Sequence, residues 1–163
     1  MITLTDAVIR SSLVNASRKE KSDLTLPVGF ESIDFQSLDY LGWRDPKMGR
    51  RAYAIIPSQD GEMTGVLLVQ AQATPHSRAQ CSWCHDTRLP NDVVFYGAKL
   101  AGAAGRRGST VGTLICRDFQ CSANVRNDPP LPYPGYDRAA ARRHRIDELH
   151  ARATSFVERV IRE

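Results

Sequence analysis

Apolar positions near the start of the chain recur at helical spacing. Leu4, Val8, Ile9, Leu13 and Ala16 fall on one side of a 3.6-residue period, which predicts a helix over residues 4–16. Ser17 and Glu20 follow in the form of a capping box, the hydroxyl accepting from a first-turn amide and the carboxylate reaching back. A second short helix is expected there. Pro27 and Gly29 then break regularity. The stretch from Phe30 to Lys47 carries Phe35, Leu38, Tyr40, Leu41 and Trp43 without a period, and is expected to be an irregular arm packed on the core.

The pattern changes at residue 51. RAYAIIP (51–57) and MTGVLLVQ (63–70) read as strands, and the Asp60-Gly61 pair between them is a hairpin signal. DVVFYGAK (92–99) and TVGTLIC (110–116) read as a third and a fourth. They are joined by a Gly- and Ala-rich connection, Leu100 to Ser109, that carries Arg106 and Arg107. Asp118 is expected to cap a following helix, because its carboxylate can accept from unpaired first-turn amides; that places Cys121 at the third helical position. Asn127 to Gly135 (NDPPLPYPG) reads as a stiff linker.

Asp137 is expected to cap a last helix that runs to about Arg162. Ile146, Leu149, Ala153, Phe156 and Val160 step by three and four along one face of it. Arg145, Arg152 and Arg159 flank that stripe, with stems that can cover its edge. The alternative is a detached helix that binds a partner or RNA. The organisation expected is a single domain, 1–163, of the α+β class: a helical N-terminal part (1–50), a β-rich lobe (51–126), a Pro-rich linker (127–136) and a C-terminal amphipathic helix (137–162).

Candidate chemistry centres on four cysteines, Cys81-x-x-Cys84 and Cys116-x4-Cys121. Two close thiol pairs at this separation have the spacing of a structural zinc site. Four thiolates fill a tetrahedral Zn²⁺ and leave no position for a reacting water. A knuckle, a β-hairpin and a helix carrying the last ligand follow the treble-clef order, with the zinc finger over 81–126 and one structural Zn²⁺. The bland alternative, four reduced buried cysteines, does not account for the close pairing. His76 and His85 could replace a thiol, but four cysteines already complete the set.

Composition narrows the class. At 163 residues with 42% hydrophobic and 25% charged positions, the chain is ordinary for a globular protein with a modest core. No run approaches the roughly 18 apolar residues of a membrane span. Residues 1–10 lack a basic n-region and an apolar h-region, so a cytoplasmic location is expected, where thiols stay reduced. The net charge is +4, and of 22 basic residues only four are lysine. Arginine suits bidentate contacts to carboxylate or phosphate. A coding bias with solvated side chains explains the same excess.

Catalysis finds little support. Gly102-x5-Gly108-Ser109-Thr110 lacks the spacing and the lysine of a phosphate loop. With all four thiols assigned to metal, none remains as a nucleophile. The chain is therefore expected not to be an enzyme.

The string from Cys81 to Arg126, CSWCHDTRLPNDVVFYGAKLAGAAGRRGSTVGTLICRDFQCSANVR, resembles the C-terminal zinc-finger domain of the FusB-type elongation factor G-binding proteins. LDYLGWRDPKMGRRAYAIIP, DGEMTGVLL and the closing helix resemble the short, arginine-rich members of that family. The resemblance implies a treble-clef finger in an α+β domain, with Cys81, Cys84, Cys116 and Cys121 as zinc ligands. It also implies an adaptor that binds elongation factor G; a contact with the ribosome or its RNA is a further expectation beside it. In the family's resistance proteins, that binding helps release the factor from ribosomes on which fusidic acid has trapped it.

A monomer without membrane attachment is expected. For the contact surface, Trp83 within the knuckle and Arg106-Arg107 on the Gly-rich loop form an aromatic and cationic set of the kind enriched at interface hot spots. The alternative is that Trp83 packs against the closing helix and the arginines are solvated. A zinc-finger RNA- or DNA-binding protein is the competing function, with Arg88, Lys99, Arg106, Arg107, Arg117 and Arg126 in the zinc lobe.

Overall fold

Segments of strand character pair in the order in which they occur. The computed structural model describes residues 4–58, 60–72, 79–88, 92–128 and 133–162. Among these, five strands form one antiparallel meander: β1 (Leu41–Arg44), β2 (Arg51–Pro57), β3 (Met63–Gln70), β4 (Val93–Lys99) and β5 (Thr110–Cys116). The turn between β2 and β3 closes through the Ser58 amide to the Glu62 carbonyl at 2.8 Å, with Gly61 at φ 81°. That left-handed φ is the one glycine tolerates without cost.

Strand alternation sorts side chains onto two faces. Ala52, Ala54 and Ile56 of β2, Val66 and Leu68 of β3, Tyr96 and Ala98 of β4, and Ile115 of β5 point to one core. Helix α5 (Arg138–Ile161) closes it with Leu149, Ala153, Phe156, Val157 and Val160. The predicted stripe is this buried face, and Ile146 packs at its margin. Asp137 caps the helix, its carboxylate accepting from the Ala140 amide at 2.9 Å.

Tyr53, Ile55 and Leu67, with Leu41 and Trp43 of β1, point to the other core. It is closed by helices α1 (Asp6–Ser12) and α2 (Arg18–Asp23) and by two single 3₁₀ turns, Phe30–Ser32 and Phe35–Ser37. The Ser17–Glu20 capping box forms as expected.

Four local expectations are corrected. The first helix is shorter than 4–16. Thr5 caps it, and Leu13 leaves it to bridge Gly65, because Asn15 is drawn onto the sheet by the Leu67 amide (2.8 Å) and the Leu67 and Lys99 carbonyls (3.0 and 2.9 Å). The arm from Phe30 to Lys47 is not wholly irregular, since residues 41–44 add β1 to the sheet. The connection of residues 100–109 contains a short helix, α3 (Gly102–Arg106).

The fourth concerns Asp118. Helix α4 (Cys121–Arg126) starts three residues past it, with Gln120 at the cap and Cys121 at the first helical position. Phe119 takes a left-handed φ of 61° and breaks the chain there, while the Asp118 carboxylate lies 3.6 Å from the Arg44 guanidinium. The linker expectation falls partly on residues 129–132, which lie outside the described residues, as does His76. Among the described residues, no helix is long and apolar enough to cross a membrane.

Candidate metal centre

Both thiol pairs sit on turns that aim sulfur inward. In the first, the His85 amide donates to the Cys81 carbonyl at 3.0 Å, and the Trp83 and Cys84 amides donate to Cys81 Sγ at 3.4 Å each. In the second, the Phe119 amide donates to the Cys116 carbonyl at 3.0 Å. His85 (φ 54°) and Phe119 are the non-glycine residues at positive φ among the described residues. Such backbone costs about 1–3 kcal/mol and persists only where its surroundings over-determine it. The first turn docks on the sheet through the Ser82 amide to the Leu114 carbonyl, at 2.7 Å.

The four cysteines are buried and unlinked, and their Sγ atoms all lie within 4.8 Å of one another. A tetrahedron with Zn–S legs of about 2.3 Å has edges of about 3.8 Å. The Cys81–Cys121 and Cys84–Cys116 sulfurs are 3.7 and 3.6 Å apart. The donor set thus has the chemistry, number and size for one structural Zn²⁺, with the coordination sphere closed by protein.

The charges agree with metal binding. Hydrogen bonds from Cys116 and Cys121, then from Cys84, hold the Cys81 thiol well below its usual range. Cys121 goes the other way, pushed up first by its bond to Cys116. Without metal the four buried sulfurs compete for protons and hydrogen bonds at close quarters. A divalent cation displaces those protons and relieves the competition.

Asn124, which sequence reasoning missed, completes the site. Its amide nitrogen reaches Cys116 Sγ at 3.4 Å and Cys84 Sγ at 3.7 Å. With the two amides on Cys81, it supplies N–H···S bonds to ligands that carry negative charge once metallated. The signal was available: Asn124 lies three residues after Cys121, one turn along the same helix face.

The expected contact residues separate. Trp83 does not point outward: it is 1% exposed. Its ring meets Tyr40 edge-on at 5.0 Å and Phe156 of α5 at 5.8 Å, and Arg152 donates to its carbonyl at 3.2 Å. The alternative, packing against the closing helix, is the arrangement found. The knuckle lies over the sheet, so its central side chain turns into the core.

Arg106 and Arg107 are exposed at the end of α3, a helix end and not a loop tip. Of the other zinc-lobe cations, Arg88 pairs with Asp86 at 2.8 Å, Arg117 with Asp92 at 3.8 Å and Arg126 with Asp39 at 2.5 Å. The Arg126 pair ties α4 to the chain ahead of β1. Lys99 is exposed at the end of β4. His85 is exposed and contributes backbone, not a ligand.

A family model described as "FBP C-terminal treble-clef zinc-finger" matches residues 8–160. Among solved structures, the chain is similar to one titled "Structure of the fusidic acid resistance protein FusC". The match has 21% identity and a TM-score of 0.49, over 67% of this chain and 52% of that one. The chain thus spans about half the length of that protein. No curated protein matches it.

Proposed function

The chain belongs to the FBP C-terminal treble-clef zinc-finger family, and from this premise we propose that it is a non-catalytic adaptor that binds elongation factor G as a monomer. The observation that carries the reading is the closed metal centre. Four buried thiols leave the zinc no open position, so the metal fixes shape and performs no chemistry. A rigid scaffold that carries exposed cations, Arg106 and Arg107 among them, is suited to recognition. The resemblance of the Cys81–Arg126 string supplies the partner.

Action on the ribosome would be conformational. An adaptor that prefers the released form of the factor shifts the equilibrium by its differential affinity for the two forms, with the drug untouched. Arg106 and Arg107 are assigned to the contact because they are exposed, at the end of the β4–β5 hairpin opposite Cys116. Trp83 is withdrawn as an exposed anchor and retained as the support under the knuckle.

Isothermal titration of the zinc-loaded protein with purified elongation factor G tests the proposal. Saturable one-to-one binding is expected, weakened about tenfold or more by R106A/R107A, the range of an interface hot spot. Absence of binding by the folded wild type overturns the adaptor reading. Binding that R106A/R107A leaves unchanged places the contact elsewhere on the molecule.

A further inference from the structure

On the face of the sheet covered by α1 and α2, the cover ends at β3, and an apolar shelf continues beyond it. Val69 and Phe95 are 42% and 44% exposed there. Gly97 pairs directly with Val69, and a Cβ on Gly97 would meet nothing within 4 Å. Gly97 in turn pairs with Gly112 of the edge strand β5. A Cβ on Gly112 would run into the end of the Phe95 ring, so the ring lies down over β5 and does not stand clear of it. The result is a flat surface with an aromatic ring, a valine and a bare glycine floor.

Its rim is cationic. Arg51 stands opposite Val69 on β2. Arg50 is exposed beside it, its guanidinium on the Gln70 carbonyl at 3.2 Å. Lys99 is exposed two residues past Gly97 on the same face. Together with Asn15, Glu20 and Val69 these residues line a groove of about 550 Å³. Among the described residues Glu20 is the one carboxylate in that lining, and it is held by the Ser17 amide at 2.8 Å. Three cations against one engaged carboxylate complement a polyanion.

We propose that this shelf binds single-stranded nucleic acid, a base stacking on Phe95 above the Gly97 floor while Arg50 and Lys99 meet phosphates. The proposal goes beyond the adaptor reading and does not depend on it. The shape favours this occupant over an acidic protein. A protein anchor would seat in the groove between the cations and leave the flat Phe95 ring outside it unused. Every base, by contrast, offers a flat π-face to a flat ring, and stacking of this kind tolerates any sequence. Phe95 and Lys99, four residues apart on one strand face, lie about 13 Å from each other along it. That spacing lets ring and cation meet different nucleotides of one strand.

The test is fluorescence anisotropy of a labelled single-stranded RNA of mixed sequence and about 12 nucleotides, within the span one such surface covers, on the zinc-loaded full chain. Saturable binding is expected, with log K falling linearly as log salt rises. Phe95→Ala should weaken it about fivefold or more, the smallest cost of one lost stack. Gly97→Val should weaken it comparably while the melting temperature does not fall, because the added side chain enters open space. Three results would overturn the proposal. One is RNA affinity untouched by both variants. Another is duplex RNA bound as tightly as the single strand. The last is no RNA binding while polyglutamate binds, which assigns the shelf to an acidic protein.

Discussion

On one face of the sheet, a 24-residue helix and four thiols close over Ala52, Ala54, Val66 and Leu68. On the other, helices of seven and six residues and two single turns close over Tyr53, Ile55 and Leu67. The first face concentrates its restraint at a metal, with α5 laid across it. The second spreads it over polar side chains that bind backbone far along the chain. Arg10 donates to the carbonyls of Lys21, Ser22 and Leu24, and Asn15 to those of Leu67 and Lys99. Trp43 Nε1 donates to the Thr25 carbonyl at 2.9 Å. Short helices are marginal alone, so where no metal is available many modest bonds must do its work.

The largest effect expected is on the metal face. Metal analysis of the purified protein should give about one zinc per chain. Cys84→Ser should remove it, and with it the packing of the knuckle, Trp83 and α4. Binding energy at structural zinc sites is about 10–16 kcal/mol and becomes folding energy. That is comparable to the whole stability of a typical domain, about 5–15 kcal/mol. Loss of cooperative thermal unfolding is therefore the predicted outcome for the variant, and for the wild type under a strong chelator. Well-folded protein with substoichiometric zinc, or an unchanged melting curve for the variant, would remove the distinction between the faces.

The corresponding loss on the other face should be smaller and pH-dependent. Asp45 is 2% exposed and accepts from the amides of Lys47, Met48 and Thr25 and from the Tyr53 hydroxyl. Burial opposes its charge, but the four donors outweigh burial and hold its carboxyl below the usual carboxylate range. Asp45→Ala leaves those donors without their acceptor and should cost about 3 kcal/mol at pH 7, a few orphaned groups at about 1 kcal/mol each. A group with a depressed folded pKa stabilises fully above its unfolded value, about 3.9. That stability is lost as pH falls through the folded value. The difference between wild type and Asp45→Ala in urea titrations should therefore shrink below about pH 4. Acid also protonates the thiols and releases the metal in both proteins, so the comparison covers the pH range in which both still unfold cooperatively. A difference that stays constant below about pH 4, to the acid limit of cooperative unfolding, would show that Asp45 acts by packing and not by charge.

The two faces were not equally legible in the sequence. β2 and β3 follow from apolar runs on either side of an Asp-Gly pair, the α5 stripe follows from its period, and the cysteine spacing predicted the metal without any tertiary knowledge. β1 was hidden because residues 41–44 have strand character only once β2 lies beside them. Gly42 sits in that strand because a Cβ there would strike Phe119, a contact with the second cysteine turn that no local pattern announces. The sequence left the position of Trp83 open for the same reason. Its burial is decided by Tyr40 and Phe156, which lie 43 residues before and 73 after it. The polar ties of the N-terminal face are equally non-local: nothing in the neighbourhood of Asn15 points to Leu67.

The smallest effect separates the faces at the level of single caps. Ser17 caps α2 and Asp137 caps α5, each through one side-chain oxygen accepting an amide. Removing such a cap costs about 1 kcal/mol where the helix depends on it. Helix α2 does depend on it, since it has six residues and none of them is buried. Helix α5 holds its last four turns by a buried stripe, and its first turn is largely exposed. Ser17→Ala should therefore abolish amide-exchange protection throughout residues 18–23. It should also release the carbonyls of Lys21 and Ser22 from Arg10, at about 1 kcal/mol of global stability. Asp137→Ala should speed exchange only over the first turn of α5 and change global stability by a few tenths of a kcal/mol. Equal losses in the two variants would mean that α5 is as dependent on local bonds as α2. The metal face would then owe its rigidity to the thiols alone.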